Sequence, residues 1–221
     1  MFSSNWNTIY KYKKQINHWP WDNLISHFNH FFKIKKKLKV LELGFGTGGN
    51  ALFFIKNKIY YIGLEGSKIA VNKVKKQFPN FKKNFICGDF TKRFPNNKKY
   101  DLIFDRGSVT HNKDEDILHT IKLIKKSLKK NGYFFGIDWF SKKHYLSEKG
   151  RSANKKKDFS RVYKNGPLKN VGIVNFFTKK KLEFFFNDFQ IIQIEEKNKT
   201  IFKNKKKPVK ISFFNIIVKK K

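Results

Sequence analysis

The stretch from Val40 to Phe54, VLELGFGTGGNALFF, constrains this chain more than any other. A short apolar run leads into a glycine-dense turn, and a helix-compatible segment leaves it. Glycine permits both a tight turn and close approach of backbone to a ligand at the edge of a parallel sheet. Gly44, Gly46 and Gly49 satisfy the dinucleotide pattern G-x-G-x-x-G, which alone suggests a nicotinamide or flavin cofactor. Glu42, just ahead of the loop, points elsewhere, because a carboxylate repels a phosphate placed beside it.

The same alternation continues along the chain. Short strands are predicted at Lys39–Leu43, Tyr60–Leu64, NFICGD ending at Asp89, YDLIFD ending at Asp105, and NGYFFGID. Between them lie helices from Asn50 to Lys56, from an N-cap at Ser67 through Gln77, and from Asp114 to Leu128. The last of these opens with three acids and closes with lysines, as the helix dipole prefers. A helix near Thr178–Asn187, a strand Phe189–Glu195, a basic turn and a strand Ile211–Val218 complete the order. Strands alternating with helices imply an α/β fold with a parallel sheet between helices.

At 221 residues the chain suits one domain, and its 26 Phe supply ample apolar material for a core. Within that domain, residues 1–36 read as two aromatic-rich helices broken near Pro20, forming a lid or covering a sheet edge. Residues 141–175 read as an irregular connection, either a cap on the acceptor side or a loop.

The net charge of +34 would ordinarily mark a nucleic-acid or membrane binder. Here the cations are almost all Lys, with Arg only at positions 93, 106, 151 and 161, whereas bidentate phosphate recognition favours Arg. Lys, Asn, Ile and Phe are abundant together, as an AT-rich gene would make them, so no specific nucleic acid is expected. The single Cys87 excludes an internal disulfide and a cysteine zinc site, and it reads as a buried residue of the third strand. With no apolar run near the ~20 residues that span a bilayer, the expected location is the cytoplasm.

Four acids sit at strand ends or beside the glycine turn: Glu42, Glu65, Asp89 and Asp105. Glu65 lies about 20 residues after Gly44, where a carboxylate can accept from both ribose hydroxyls. Asp89 is placed to read an adenine amine, with Phe90 available to pack on the ring. A ribose acid serves NAD and S-adenosylmethionine alike; Glu42 decides for the latter, whose methionyl ammonium suits an acid near the turn.

In this order the residues resemble the class I S-adenosylmethionine-dependent methyltransferases over nearly the whole chain. LELGFGTGGN is similar to the family's first motif, with Glu42, Gly44, Gly46 and Gly48; GLEGS to the second; CGDF to the adenine-contacting third; YDLIFDRGSVTHN to the fourth; and LKKNGYFFGID to the fifth strand, with Asn131 where the family's turn carries proline. The resemblance implies a Rossmann-like three-layer sandwich, its seven-stranded, mostly parallel sheet ending in an antiparallel last strand. It also implies in-line methyl transfer to an oxygen or nitrogen, with no metal required. WPWDNLISHF and DRGSVTHN further resemble bacterial members associated with surface-polysaccharide and other small-molecule biosynthesis, so a small-molecule acceptor, a sugar among the options, is expected.

A hydroxyl acceptor benefits from a base. His111 is the first candidate and His144 the second; Asp105 is a candidate contact to the methionyl group or acceptor, Arg106 reads equally as a structural partner for a nearby acid, and Asp138 reads as structural. An RNA methyltransferase using the lysines with Trp19, Trp21 and Phe28 as a platform is the alternative, although those aromatics read as core. A non-catalytic cofactor-binding protein is the other alternative.

Overall fold

Successive side chains of a strand face opposite sides, and here both sides are apolar. The computed structural model describes residues 2–12, 16–34, 37–95, 99–153, 159–204 and 206–221. Its first five strands are β1 (Lys39–Leu43), β2 (Tyr60–Glu65), β3 (Phe85–Cys87), β4 (Tyr100–Arg106) and β5 (Leu128–Phe140). Leu41, Ile103 and Phe134 pack on one side, and Val40, Leu102, Phe104 and Phe135 on the other.

Helices cover these faces. The helices α1 (Asn5–Lys11) and α2 (Asp22–Phe31) precede the sheet, with α3 (Ala51–Lys56), α4 (Lys68–Gln77), α5 (Asp114–Ser127) and α6 (Lys179–Phe185) between strands. Leu24 and Phe28 of α2, Phe54 of α3 and Val71 and Val74 of α4 share one core. Ile117, Ile121 and Ile124 of α5 join Leu182 and Phe185 of α6 in the other. The three-layer arrangement follows.

Beyond β5 come β6 (Arg151–Ser152), β7 (Ser160–Val162) and β8 (Val174–Asn175), then β9 (Gln190–Lys203) and β10 (Lys206–Lys219). The main sheet has the order β3-β2-β1-β4-β5-β10-β9. β3, β2, β1, β4 and β5 run parallel, and β10 is antiparallel to β5 and to β9. That is the expected seven-stranded sheet with its antiparallel last strand. No helix among the described residues is long and apolar enough to cross a membrane.

Several local expectations are corrected. The basic turn expected between Glu195 and Ile211 is mostly strand: Thr200 pairs with Lys210 and Ile201 with Val209, so backbone pairing carries the hairpin well past its apolar part. Lysines on the edge strand fit that place, because charge deters further strand addition. The connection 141–175 contains a small antiparallel sheet, β6-β7-β8, although residues 154–158 lie outside the described set. Cys87 is exposed rather than buried, since β3 is the short edge of the sheet and ends there. Of the three aromatics assigned to the core, Phe28 is fully buried, Trp19 is 70% exposed, and Trp21 stacks on Arg106.

Candidate cofactor and acceptor site

β1 has β2 on one side and β4 on the other, so the crossovers leave it in opposite directions, and ligands in such sheets bind in the resulting crevice. A cavity of ≈ 550 Å³ lies there, within the ~300–1,000 Å³ usual for small-molecule sites. The turn after β1 forms its floor. Gly44 has φ +72°, its N–H donates to Leu64 O at 2.7 Å, and a Cβ there would collide with the side chain of Ser108. The Ser108 hydroxyl donates to Leu43 O at 2.6 Å, so the β4 loop closes directly over the glycine turn. Gly46 has φ +55° and lies against the Tyr10 hydroxyl. Gly48 does not line the cavity; at φ +77° it shapes the turn and approaches Val74 of α4.

Glu65 ends β2 inside the cavity wall. Its Oε2 accepts the Gly46 N–H at 3.0 Å and its Oε1 the Ser67 N–H at 2.9 Å. Burial raises its pKa against those bonds. A carboxylate has about four lone-pair sites, and those left over are the acceptor set that adjacent ribose hydroxyls need. Glu42 also lines the cavity at 2% exposure, held by Asn50 Nδ2 at 2.8 Å and by the Tyr61 hydroxyl. Burial pushes its pKa up to about 7 despite both hydrogen bonds.

Asp89 and Phe90 line the same cavity. Asp89 Oδ1 accepts the Thr91 N–H at 2.9 Å and hydroxyl at 2.7 Å, and its Oδ2 accepts the Phe2 N–H at 3.0 Å. Partial burial raises its pKa, but these bonds outweigh burial and hold it below the ordinary value. It is therefore a carboxylate fit to accept an amine. The residues present thus fit an adenosyl group with an amino-acid tail.

Asp105 is placed differently from expectation. It is fully buried and outside the cavity lining. It accepts from Ser108 N–H at 2.8 Å, Val109 N–H at 2.9 Å and Trp139 Nε1–H at 2.6 Å, which fixes the loop that roofs Gly44. Burial pushes its pKa up to about 6 against those donors. Its oxygens are turned to that loop and to Trp139.

His144 also falls outside the cavity lining. Its Nδ1 accepts the Leu146 N–H at 3.1 Å, and its ring lies among Phe140, Tyr145 and Phe213. His111 does line the cavity, on the 3-10 turn Val109–His111. Its Nδ1 lies 3.2 Å from Ile173 O, and Trp6 meets its ring edge-on at 5.1 Å. A carbonyl can only accept, so Nδ1 carries the proton and Nε2 has the free lone pair. Burial pushes its pKa down to about 4, so the ring is neutral at pH 7.

Two further features shape the cavity. The N-terminal segment straps the cavity: Thr47 Oγ1 accepts the Asn17 N–H at 2.9 Å and donates to Asn17 O at 2.8 Å, and Lys73 Nζ donates to Tyr10 O at 2.6 Å. Phe2, Trp6 and Tyr10 all line the cavity. The other feature is an ionic cluster at the ends of β4 and β5. Arg106 Nε and Nη2 each lie 3.1 Å from Asp138 Oδ2, and Trp21 covers the guanidinium at 3.6 Å. Arginine in a chain that uses lysine almost everywhere was the signal available for it.

Comparison with known proteins agrees with this geometry. Residues 40–132 match the family described as "Methyltransferase domain". The chain is 24% identical over 149 residues to sterol 24-C-methyltransferase erg6 of Aspergillus fumigatus, a match covering 63% of this chain and 39% of that protein's length. An S-adenosylmethionine-dependent methyltransferase from Methanosarcina mazei superposes with a TM-score of 0.68 at 17% identity, over 91% of this chain and 98% of the other. The PH0226 protein from Pyrococcus horikoshii gives 0.66 at 17% identity, over 96% and 99%. Residues 40–132 thus match the methyltransferase-domain family, and the chain shares its fold with a solved S-adenosylmethionine-dependent methyltransferase.

Proposed function

We propose that this protein transfers a methyl group from S-adenosylmethionine to an oxygen or nitrogen of a small-molecule acceptor. The observation that carries the reading is the Glu65 carboxylate, tied to the Gly46 N–H across the glycine turn within one cavity. Glu65 would hold the ribose hydroxyls, Asp89 and Phe90 the adenine, and Glu42 with the Gly44–Gly46 backbone the methionyl group. When bound, S-adenosylmethionine supplies an electrophilic methyl carbon on a sulfonium.

The chain's own contribution is then orientation, exclusion of water and handling of one proton. Orientation of well-placed reactants can be worth roughly 7–11 kcal/mol. The strap of residues 2–19 and the cap of residues 141–175 serve to cover the reactants: Ile9, Leu146, Val171, Val174 and Phe176 join them in one apolar cluster. His111 is the base, its neutral Nε2 available to take the acceptor proton. With a pKa of about 4 it suits an acceptor that releases its proton late, as the methyl bond forms. A bare sugar is less favoured by the apolar wall of Phe140, Leu168, Val171 and Phe213. The fungal relative is named for methylation at carbon; a nucleophilic carbon needs no base before attack, so the His111 variant separates the two chemistries.

Calorimetric titration with S-adenosylhomocysteine and, separately, NAD tests the cofactor, at salt high enough to screen the +34 charge. Saturable binding of the former alone is the expected result, and binding of NAD alone would overturn it. With an acceptor in hand, His111→Gln should leave that affinity within twofold and lower kcat by roughly 100- to 10,000-fold. An unchanged kcat removes His111 from the chemistry.

A further inference from the structure

Arg106 extends from the last residue of β4 into the cavity wall, with its side chain one-third (33%) exposed. A guanidinium has five N–H donors in one plane. The Nε–H donates to Asp138 Oδ2 at 3.1 Å, Nη2 lies 3.1 Å from the same oxygen, and the Trp21 ring lies against one face at 3.6 Å. The Nη1 donors and the outer Nη2 donor show no hydrogen bond to the described residues. The plane is fixed from two directions, and one donor edge is left for something else.

Asp138 is itself built in. It takes φ +54°, rare for a residue with a side chain, and its N–H donates to Asn215 Oδ1 at 3.0 Å. Its Oδ1 accepts from Asn23 Nδ2 at 2.8 Å and faces Lys197 Nζ at 3.1 Å. One carboxylate therefore serves two cations. Glu195 is turned toward Asn215, at 2.8 Å, and His27, at 3.5 Å. Arg106 and Asp138 line the same cavity as the apolar Phe140, Leu168 and Val171.

Resting on the methyltransferase reading above, we infer that the acceptor carries a carboxylate held by the free edge of Arg106, with an apolar, ring-sized body against that wall. A preset planar fork is the geometry that binds carboxylate bidentately, and lysine does not reproduce it. If Arg106 only tied β4 to β5, its remaining donors would have no preference for an anion.

The test is calorimetric titration of the protein saturated with S-adenosylhomocysteine, using matched acid and amide probes: indole-3-acetate against indole-3-acetamide, and benzoate against benzamide. At about 0.15 M salt, which screens the general surface field, the acids should bind roughly tenfold more tightly than their amides, as expected for a charge-assisted pair. Arg106→Gln should abolish that preference, Arg106→Lys should retain only part of it, and Lys197→Gln should retain most of it. The affinity for S-adenosylhomocysteine should stay within twofold throughout. Equal binding of acid and amide, a preference that survives Arg106→Gln, or no saturable binding of any probe overturns the inference. If Arg106→Gln fails to fold, Arg106→Lys against Lys197→Gln decides, because a field effect would weaken with the lost lysine charge and a fork effect with the lost fork. Failure of the wild-type protein to bind S-adenosylhomocysteine would instead overturn the reading on which the inference stands.

Discussion

Lowering the pH from 8 to 6 should weaken binding of S-adenosylhomocysteine by roughly tenfold, and Glu42 is the cause. Burial pushes this carboxyl up to about 7, so near neutrality half of the free protein holds it protonated. The sign follows from that direction: Glu42's stabilising contribution to the free fold is complete below its unfolded pKa and is lost as pH rises through about 7. A methionyl ammonium brought next to it favours the charged form and lowers the pKa by roughly 1–3 units. Taking a bound value two units lower, about half a proton leaves per ligand at pH 7, and linkage gives close to tenfold tighter binding at pH 8 than at pH 6. Neighbouring histidines do not confuse the window, because His111 and His144 both sit at about 4. The assay is calorimetry in buffers of different ionisation enthalpy, which reads proton release directly. Glu42→Gln, which cannot ionise, should bind with most of that proton release lost. An unchanged release in that variant, or a flat affinity across the window in the wild-type protein, would refute the placement of the ammonium beside Glu42.

Three further outcomes follow from single contacts. Gly44→Ala combines a left-handed backbone with a collision against Ser108 and should cost about 2–5 kcal/mol in urea unfolding, with cofactor binding lost alongside. Trp139→Phe removes the Nε1–H donor at 2.6 Å from a buried Asp105 oxygen and should cost about 1–3 kcal/mol, read from the denaturation midpoint; a change below 0.5 kcal/mol would mean that the loop does not depend on it. Thr47→Val cuts both bonds to Asn17, at roughly 1 kcal/mol each, so release of S-adenosylhomocysteine in stopped flow should quicken about 5- to 30-fold. Unchanged release would show that the strap does not gate the site.

The legibility of the sequence followed distance along the chain. The part of the cavity proposed for the cofactor is local: β1, the glycine turn and the end of β2 supply Glu42, Gly44, Gly46 and Glu65 within one strand–turn–helix–strand unit. Turn chemistry and strand periodicity operate over that range, so both fold and carboxylate placement were readable. Element ends failed where composition masked the period. Lysines hid the alternation that makes Gln190–Lys203 and Lys206–Lys219 continuous strands, and the short edge β3 left Cys87 outside the core.

The part of the cavity proposed for the acceptor is built from segments remote in sequence, and that is why its residues could be named but not placed. Asn23 meets Asp138, His111 meets Ile173, and Trp21 meets Arg106 only after the sheet has formed. Asp105 shows the reverse error: a strand-end acid beside a binding crevice reads as a ligand contact, yet three nearby donors at 2.6–2.9 Å turn it inward. A buried carboxyl already satisfied in this way gains nothing by facing the cavity, since exposing it would leave the Trp139 and Val109 N–H groups without partners. Asp138, one strand over, has cations rather than backbone amides for partners and stays at the cavity wall. Two acids on neighbouring strand ends are thus divided between scaffold and site by the donors around them, and those donors arrive from other parts of the chain.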